Sequence, residues 1–267
     1  MIPPLDRLLK GGAFEFQLGL RRGDDAFFCN RPENRALLDE RRRWFADEPE
    51  RYAAGDVPLA ELLAFARMMN PGLTADSLRT LGESWEPDFL LLRPDEAGEF
   101  RLVAGCVCFP SHWALREKIG LPLAAIHAPV PTLNSTLGAK IDSFLANLRA
   151  DTTWERWNWG LAATPELNDH PGRGLARLTA AATLDACWFR SEHQAFRPLP
   201  ETRGILFAIR IDLIPLAEIA ADRTLASQLA DALLSMPPEI AAYKGLATAR
   251  HTIAAQLRSP GVPAAGK

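Results

Sequence analysis

Five strand-forming stretches lie between helical flanks without any regular strand-helix alternation, and this arrangement limits the fold more than any other feature of the chain. Asp88 to Arg93 and Phe100 to Phe109 are separated by Pro94, Asp95, Glu96, Ala97 and Gly98, a set of turn formers that predicts a β-hairpin. Further strands are predicted at Arg156 to Leu161, Ala186 to Arg190 and Gly204 to Leu213, with a loop of Asn168, Asp169, Pro171, Gly172 and Gly174 between them. Without β-α-β alternation the strands have no parallel crossovers to pair through. The expected class is therefore α+β with a mainly antiparallel sheet, flanked by N- and C-terminal helices.

The flanks read as helices from their periodicity. Leu37, Leu38, Arg41, Trp44 and Phe45 recur at helical spacing, and Pro58 to Met69 follows Asp56, which is expected to cap it. A central helix from Ser135 to Leu148 places Leu137, Ile141, Phe144, Leu145 and Leu148 on one face, and Leu225 to Leu234 and Pro238 to Leu257 close the chain. The Arg41, Arg42, Arg43 run is flanked by Asp39, Glu40, Asp47 and Glu48, which predicts a solvated helix face rather than an anion site. Residues 1–258 are expected to form one domain and 259–267, rich in Pro, Gly and Ala, a disordered tail.

Composition excludes several classes of function. With 267 residues, 48% of them hydrophobic, the chain can bury a sizeable core. A net charge of -3 gives no field for nucleic acid or an anionic membrane. The start, MIPPLDRLLKGGAFEF, lacks the pattern of a secretory signal, and the apolar stretch from Leu121 to Leu133 is too short for a bilayer span, so a cytoplasmic location is expected. Cys29, Cys106, Cys108 and Cys187 are too scattered for a disulfide scaffold and are read as reduced thiols, and Cys106 and Cys108, with no second Cys or His pair at zinc-site spacing, as core residues.

The motifs for other chemistries are missing. There is no dinucleotide or P-loop fingerprint, no nucleophile elbow, no H-E-x-x-H, no iron–sulfur cysteine spacing and no C-x-x-C-H for covalent haem attachment. A non-covalent haem needs only one axial ligand and an apolar pocket. Of the five histidines, His127 stands out, because Pro122 and Pro129 stiffen the apolar loop around it; a hydrogen-bonded structural role is the alternative for a lone histidine. His112 reads as a surface or capping residue.

Longer motifs carry more. Glu86-Pro87-Asp88-Phe89-Leu90, Ala104 to Trp113, Lys118-Ile119-Gly120 and Ile126-His127-Ala128-Pro129-Val130-Pro131 come in an order and spacing that resemble the haem-dependent oxidative N-demethylase family. Arg156-Trp157-Asn158-Trp159 looks like that family's Arg-x-Asn-Trp element, and Phe189 to Gln194, Leu199 to Thr202 and Tyr243-Lys244-Gly245-Leu246 look like its later motifs. The resemblance runs from about Phe14 to Leu246.

The resemblance implies a PAS-like subunit holding a non-covalent haem b and its iron. It implies that such a subunit uses O2 to convert a small secondary amine, such as dimethylamine, to a primary amine and formaldehyde, with electrons from separate flavin or iron–sulfur reductase subunits. His127 is then the candidate proximal ligand of the iron. Arg156, Arg190 and Arg210 are candidates for contacts to haem propionates or bound O2, with a structural ion pair as the alternative for each. Glu192 is a candidate acid, base or amine anchor, or a solvated strand-end carboxylate. His193 stands where Arg is expected in the family, an exchange that is expected to alter the charge beside Glu192. A non-catalytic haem or small-ligand sensor and a haem-free scaffold subunit are the competing readings.

Overall fold

Residues 3–9 and 14–259 are described by the computed structural model. Seven strands form one sheet: β1 (Arg21–Arg22), β2 (Ala53–Ala54), β3 (Asp88–Pro94), β4 (Phe100–Cys106), β5 (Trp154–Ala162), β6 (Trp188–Leu199) and β7 (Gly204–Pro215). Their order is β1-β5-β6-β7-β3-β4-β2, and every neighbouring pair is antiparallel. The α+β class with an antiparallel sheet is thus as the strand pattern predicts.

The β3–β4 hairpin forms at the Pro94 to Gly98 turn, where Asp95 Oδ1 accepts from the backbone of Ala97 and Glu99 at 3.0 Å each. The β6–β7 hairpin is longer than expected, because β6 continues from Arg190 to Leu199. Its turn at Pro200 to Arg203 is held from outside the sheet: the Glu61 carboxylate accepts from the Glu201 and Thr202 backbone at 2.8 and 3.0 Å.

Helices cover the sheet in three layers. The N-terminal segments are α1 (Leu5–Leu8), α2 (Arg35–Asp47), α3 (Pro49–Tyr52), α4 (Ala60–Met69) and α5 (Leu78–Ser84). Between β4 and β5 lie α6 (Leu123–His127) and α7 (Leu133–Ala146), and after β7 come α8 (Leu216–Ala221), α9 (Arg223–Ser235), α10 (Pro238–Tyr243) and α11 (Arg250–Arg258).

Because strand side chains alternate, each layer selects one face. Phe89, Leu91, Ala195, Leu206 and Ala208 pack with Phe45, Leu62, Phe65 and Leu81 of α2, α4 and α5. Trp159 and Phe189, farther along the same face, pack with Leu229, Leu233, Ile240 and Ile253 of the C-terminal helices. Leu90, Leu92, Leu102 and Ile205 point the other way and meet Leu145, Ile141 and Phe144 of α7. The first face is covered by terminal helices along its length, whereas α6 and α7 pack on the β3, β4 and β7 side of the second. These two faces are called the covered face and the α7 face below.

Several local expectations are corrected. Arg41 is not on a solvated face: it is fully buried, and its Nη1 donates to Asp88 Oδ1 at 2.6 Å, while Arg42 and Arg43 are exposed. Its partner, 47 residues away in sequence, lies outside any helical window. Asp56 caps no helix, because α4 starts at Ala60 after Leu59. The stretch from Pro238 to Leu257 is two helices, not one. Gly245, at φ +68°, ends α10: Leu246 N donates to Ala241 O at 2.7 Å and Gly245 N to Ala242 O at 3.0 Å, and buried Leu246 folds back onto the helix. Of the expected tail, all but Ser259 lies outside the described residues.

Candidate functional site

The middle of β6 reads Arg190-Ser191-Glu192-His193-Gln194, so polar side chains leave the strand on both faces. Register decides where each one goes. Arg156 pairs with Gln194, Asn158 with Glu192 and Gly160 with Arg190, which puts Arg156, Asn158, Arg190, Glu192 and Gln194 on the α7 face. Trp157 pairs with His193 and His193 with Arg210, which puts these on the covered face.

On the α7 face, Glu192 Oε2 accepts from Gln194 Nε2 at 2.8 Å and from Asn158 Nδ2 at 3.3 Å. Its Oε1 takes no hydrogen bond from a described residue. Beside it, the Arg156 side chain makes no hydrogen bond to any described residue, and its buried Nε has no partner. Burial pulls its pKa down and Glu192 only partly offsets this. A partly desolvated guanidinium without a hydrogen-bond partner weakens the fold slightly unless an anion is supplied from elsewhere.

His127 approaches the same region. Its surroundings are not an irregular loop: Pro122 precedes the short helix α6, His127 is that helix's last residue, and Pro129 follows. The half-buried imidazole has no hydrogen-bond partner among the described residues. Burial, with Arg156 adding to it, holds its pKa below the usual histidine value. Near neutral pH the ring is therefore uncharged, the form in which histidine binds a metal.

Lys244, the residue before Gly245, reaches the edge of β5 and donates from Nζ to Trp159 O at 2.7 Å. Burial pushes its pKa down to about 8, with Glu192 opposing and Arg156 assisting the shift. The sequence showed Lys244 only inside a motif. The signal that could have singled it out is its position before a helix-ending glycine, where a side chain is held in a fixed direction.

Arg190 and Arg210 differ from Arg156. Arg190 donates from Nε to Ser111 Oγ at 2.8 Å and from Nη2 to the carbonyls of Phe109 and Leu167 at 2.9 and 2.8 Å, while Nη1 reaches Glu166 O at 3.3 Å. It ties β6 to two loops. Arg210 bonds the Glu86 carboxylate and the carbonyls of Phe27 and Cys29; burial lowers its pKa to about 10. Burial works against an ionised Glu86, but Arg210, Arg31 and Asn34 more than offset it and hold the carboxyl below its usual range.

His193 also lies apart from Glu192, so the expected adjacency does not hold: neighbours in a strand point to opposite faces. Its ring stacks on Trp157 at 3.9 Å and 12°, with the Arg21 guanidinium 3.9 Å over the other ring of that pair. Its Nε2 lies 2.8 Å from Glu155 Oε2, so a charged Glu155 fixes the hydrogen on Nε2. Burial lowers the His193 pKa more than Glu155 raises it. The position is a closed structural stack, not a neighbour of Glu192. His112 is exposed, 3.8 Å from Asp169, as a surface histidine would be.

Among the described residues no group of three or more His, Cys, Asp and Glu side chains could hold a metal by itself. A haem asks for less. It brings four ring nitrogens to its iron, so one imidazole suffices, and its two carboxylates need cations. A neutral, unbonded His127 and an unpartnered Arg156 fit that demand.

A comparison with protein-family models matches residues 58–254 to "haem-dependent oxidative N-demethylase, alpha subunit-like". The match spans nearly three quarters of the chain. The chain belongs to this family. Family membership makes it a haem-dependent oxidative N-demethylase-like subunit, and the words "alpha subunit" imply further subunits. No described helix is long and apolar enough to cross a membrane.

Proposed function

We propose that this chain is the haem b-binding, O2-using subunit of an enzyme that demethylates a small secondary amine such as dimethylamine. One O2, two electrons and two protons convert the amine to a primary amine, formaldehyde and water. The electrons come from a separate flavin or iron–sulfur reductase, in keeping with a sequence that has no dinucleotide or iron–sulfur motif. The four free cysteines suit the cytoplasm. The observation that carries the reading is the nearness on the α7 face of a neutral imidazole, His127, and a half-buried guanidinium, Arg156, neither hydrogen-bonded to a described residue.

In this reading His127 would hold the haem iron and Arg156 would answer a haem propionate. The haem supplies O2 binding and activation. Glu192 anchors the amine: Asn158 and Gln194 orient the carboxylate through Oε2, leaving Oε1 to accept an N–H of the substrate. Lys244 and Arg156 lie near enough to feel that carboxylate. Arg190 and Arg210 hold the loops and strands that frame the site.

The test is an absorption spectrum of protein expressed with ample haem, with and without dithionite and CO, followed by formaldehyde release from dimethylamine with a surrogate reductase. The wild type should show a Soret band that shifts with CO, and His127→Ala should lose it or retain only a weakly held haem rescued by imidazole. A wild type without haem would favour a scaffold subunit, and haem without turnover a sensor.

A further inference from the structure

We propose that Lys244 is a reversible covalent acceptor for formaldehyde, poised at the edge of β5 beside the face where the proposed demethylation would release it. The physiological ligand rests on that reading; the reactivity of the amine does not.

Placement comes first. The Schellman turn at Gly245 fixes the backbone of Lys244, and Nζ is held 2.7 Å from Trp159 O. The amine borders a cleft lined by Leu161, Ala163, Thr164 and Gly245, with about 30 Å³ of interior. A water needs roughly 10–15 Å³ by that measure, so the cleft admits about two water-sized atoms. Formaldehyde has two heavy atoms. An aromatic ring is much larger than that interior.

Charge comes second. Glu192 of β6 and Arg156 of β5 act on the ammonium in opposite senses, Tyr243 is its neighbour on α10, and Glu166, Asp169 and Arg177 stand around the cleft. Burial outweighs these and brings the amine to about 8. Roughly a tenth is then free base at pH 7, against well under a hundredth for an ordinary lysine.

The chemistry needs no added redox partner. The Nζ lone pair attacks the carbonyl carbon, an N–C bond forms, and the C=O π pair becomes a hydroxyl by taking a proton as nitrogen releases one. The carbinolamine either reverts to amine and aldehyde or loses water to give the methylene imine, which water reverses. A small aldehyde leaving the Glu192 region would thus be detained at Lys244 and released again.

The experiment treats the full chain, expressed with haem, with carbon-13 formaldehyde and sodium cyanoborohydride at pH 7. Cyanoborohydride converts the imine to N-methyl-lysine, and peptide mass spectrometry reads each site. Lys244 should be labelled at least roughly tenfold faster than Lys118 and Lys140, because of its larger free-base fraction. Glu192→Gln, which removes the carboxylate that favours the ammonium, should speed Lys244 further. Lys244→Arg keeps a cation at Trp159 O and should leave no fast-labelled lysine in a folded chain, only the α-amine of the N-terminus. Benzaldehyde in place of formaldehyde should lose the preference for Lys244. Labelling of Lys244 no faster than Lys118 and Lys140 would overturn the proposal, and so would equal selectivity with benzaldehyde. Formaldehyde release from dimethylamine is measured separately, so failure of the demethylase reading would leave this result standing on its own.

Discussion

The two faces of β5, β6 and β7 hold similar residues in different states of completion. On the covered face Arg210 is spent on Glu86, Phe27 and Cys29, and His193 on Glu155 and Trp157. On the α7 face Arg190 is satisfied as well, but among the described residues neither the Arg156 guanidinium nor His127 has a hydrogen-bond partner, and Glu192 keeps one oxygen free. Buried polar groups in a folded chain are normally satisfied, so unmet demand marks where a ligand belongs and met demand marks scaffolding. The identity of a residue does not separate the two roles. Arg156, half-buried, and Arg210, buried, lie on neighbouring parts of one sheet, and their surroundings tell them apart.

The strongest way to break this contrast is to remove a satisfied arginine. Arg210→Met leaves Glu86 buried with less compensation and two carbonyls without a donor, and should cost about 3–5 kcal/mol of stability. Urea unfolding of the haem-free chain measures it. A loss under about 1 kcal/mol would mean that the covered face is not the scaffold described.

A sharper test is the matching change on the other face. Arg156→Met removes a half-buried cation that has no hydrogen-bond partner among the described residues, so the haem-free chain should keep its stability or gain up to about 1 kcal/mol. Haem should leave roughly tenfold faster, the equivalent of about 1.4 kcal/mol of lost charge-assisted bonding. Haem transfer to apomyoglobin reads the rate. Large destabilisation with unchanged haem release would reverse the two roles.

The smallest effect is at His193. Its lowered pKa means that the folded chain resists a proton that the unfolded chain accepts near pH 6.5. The stability involved is complete above that pH and is lost as pH falls through the folded value. His193→Gln keeps a donor for Glu155 but loses the stack on Trp157, and should be about 1 kcal/mol less stable at pH 8. That gap should narrow as the pH drops below about 6.5, because only the wild type carries the protonation penalty. A gap independent of pH between 8 and 5 would show that His193 does not titrate against folding.

Short-range patterns made the sheet legible, and long-range partners hid much of the site. The β3–β4 hairpin could be read because its turn formers are contiguous, and α7 because its apolar face repeats. The second half of β6 was missed: Ser191, Glu192, His193 and Gln194 break the apolar alternation that marks a strand, since each face there has polar work to do. Arg41 read as surface because Asp88 is remote in sequence. The motifs did point to the residues that line the α7 face, His127, Arg156 and Glu192, but not to the division of labour among the three arginines, which depends on loops at Phe109, Leu167 and Phe27 closing over two of them. His193 was placed beside Glu192 by adjacency in the chain, and the pleat set them back to back.

The Glu61 clamp on the turn of β6 and β7 has a consequence for what changes this chain can survive. A strand that serves both faces converts any slip by one residue into an exchange: Glu192 would turn inward onto Trp157, and His193 would turn outward onto Asn158. Point substitutions in β6 alter one face at a time. A single inserted or deleted residue between Trp188 and Leu199 would swap scaffold for site along the whole strand, with Glu61 pinning the far end so that the error could not be absorbed at the turn. Length variation in this chain should therefore be confined to loops such as 163–187, and β6 should be the segment least tolerant of it.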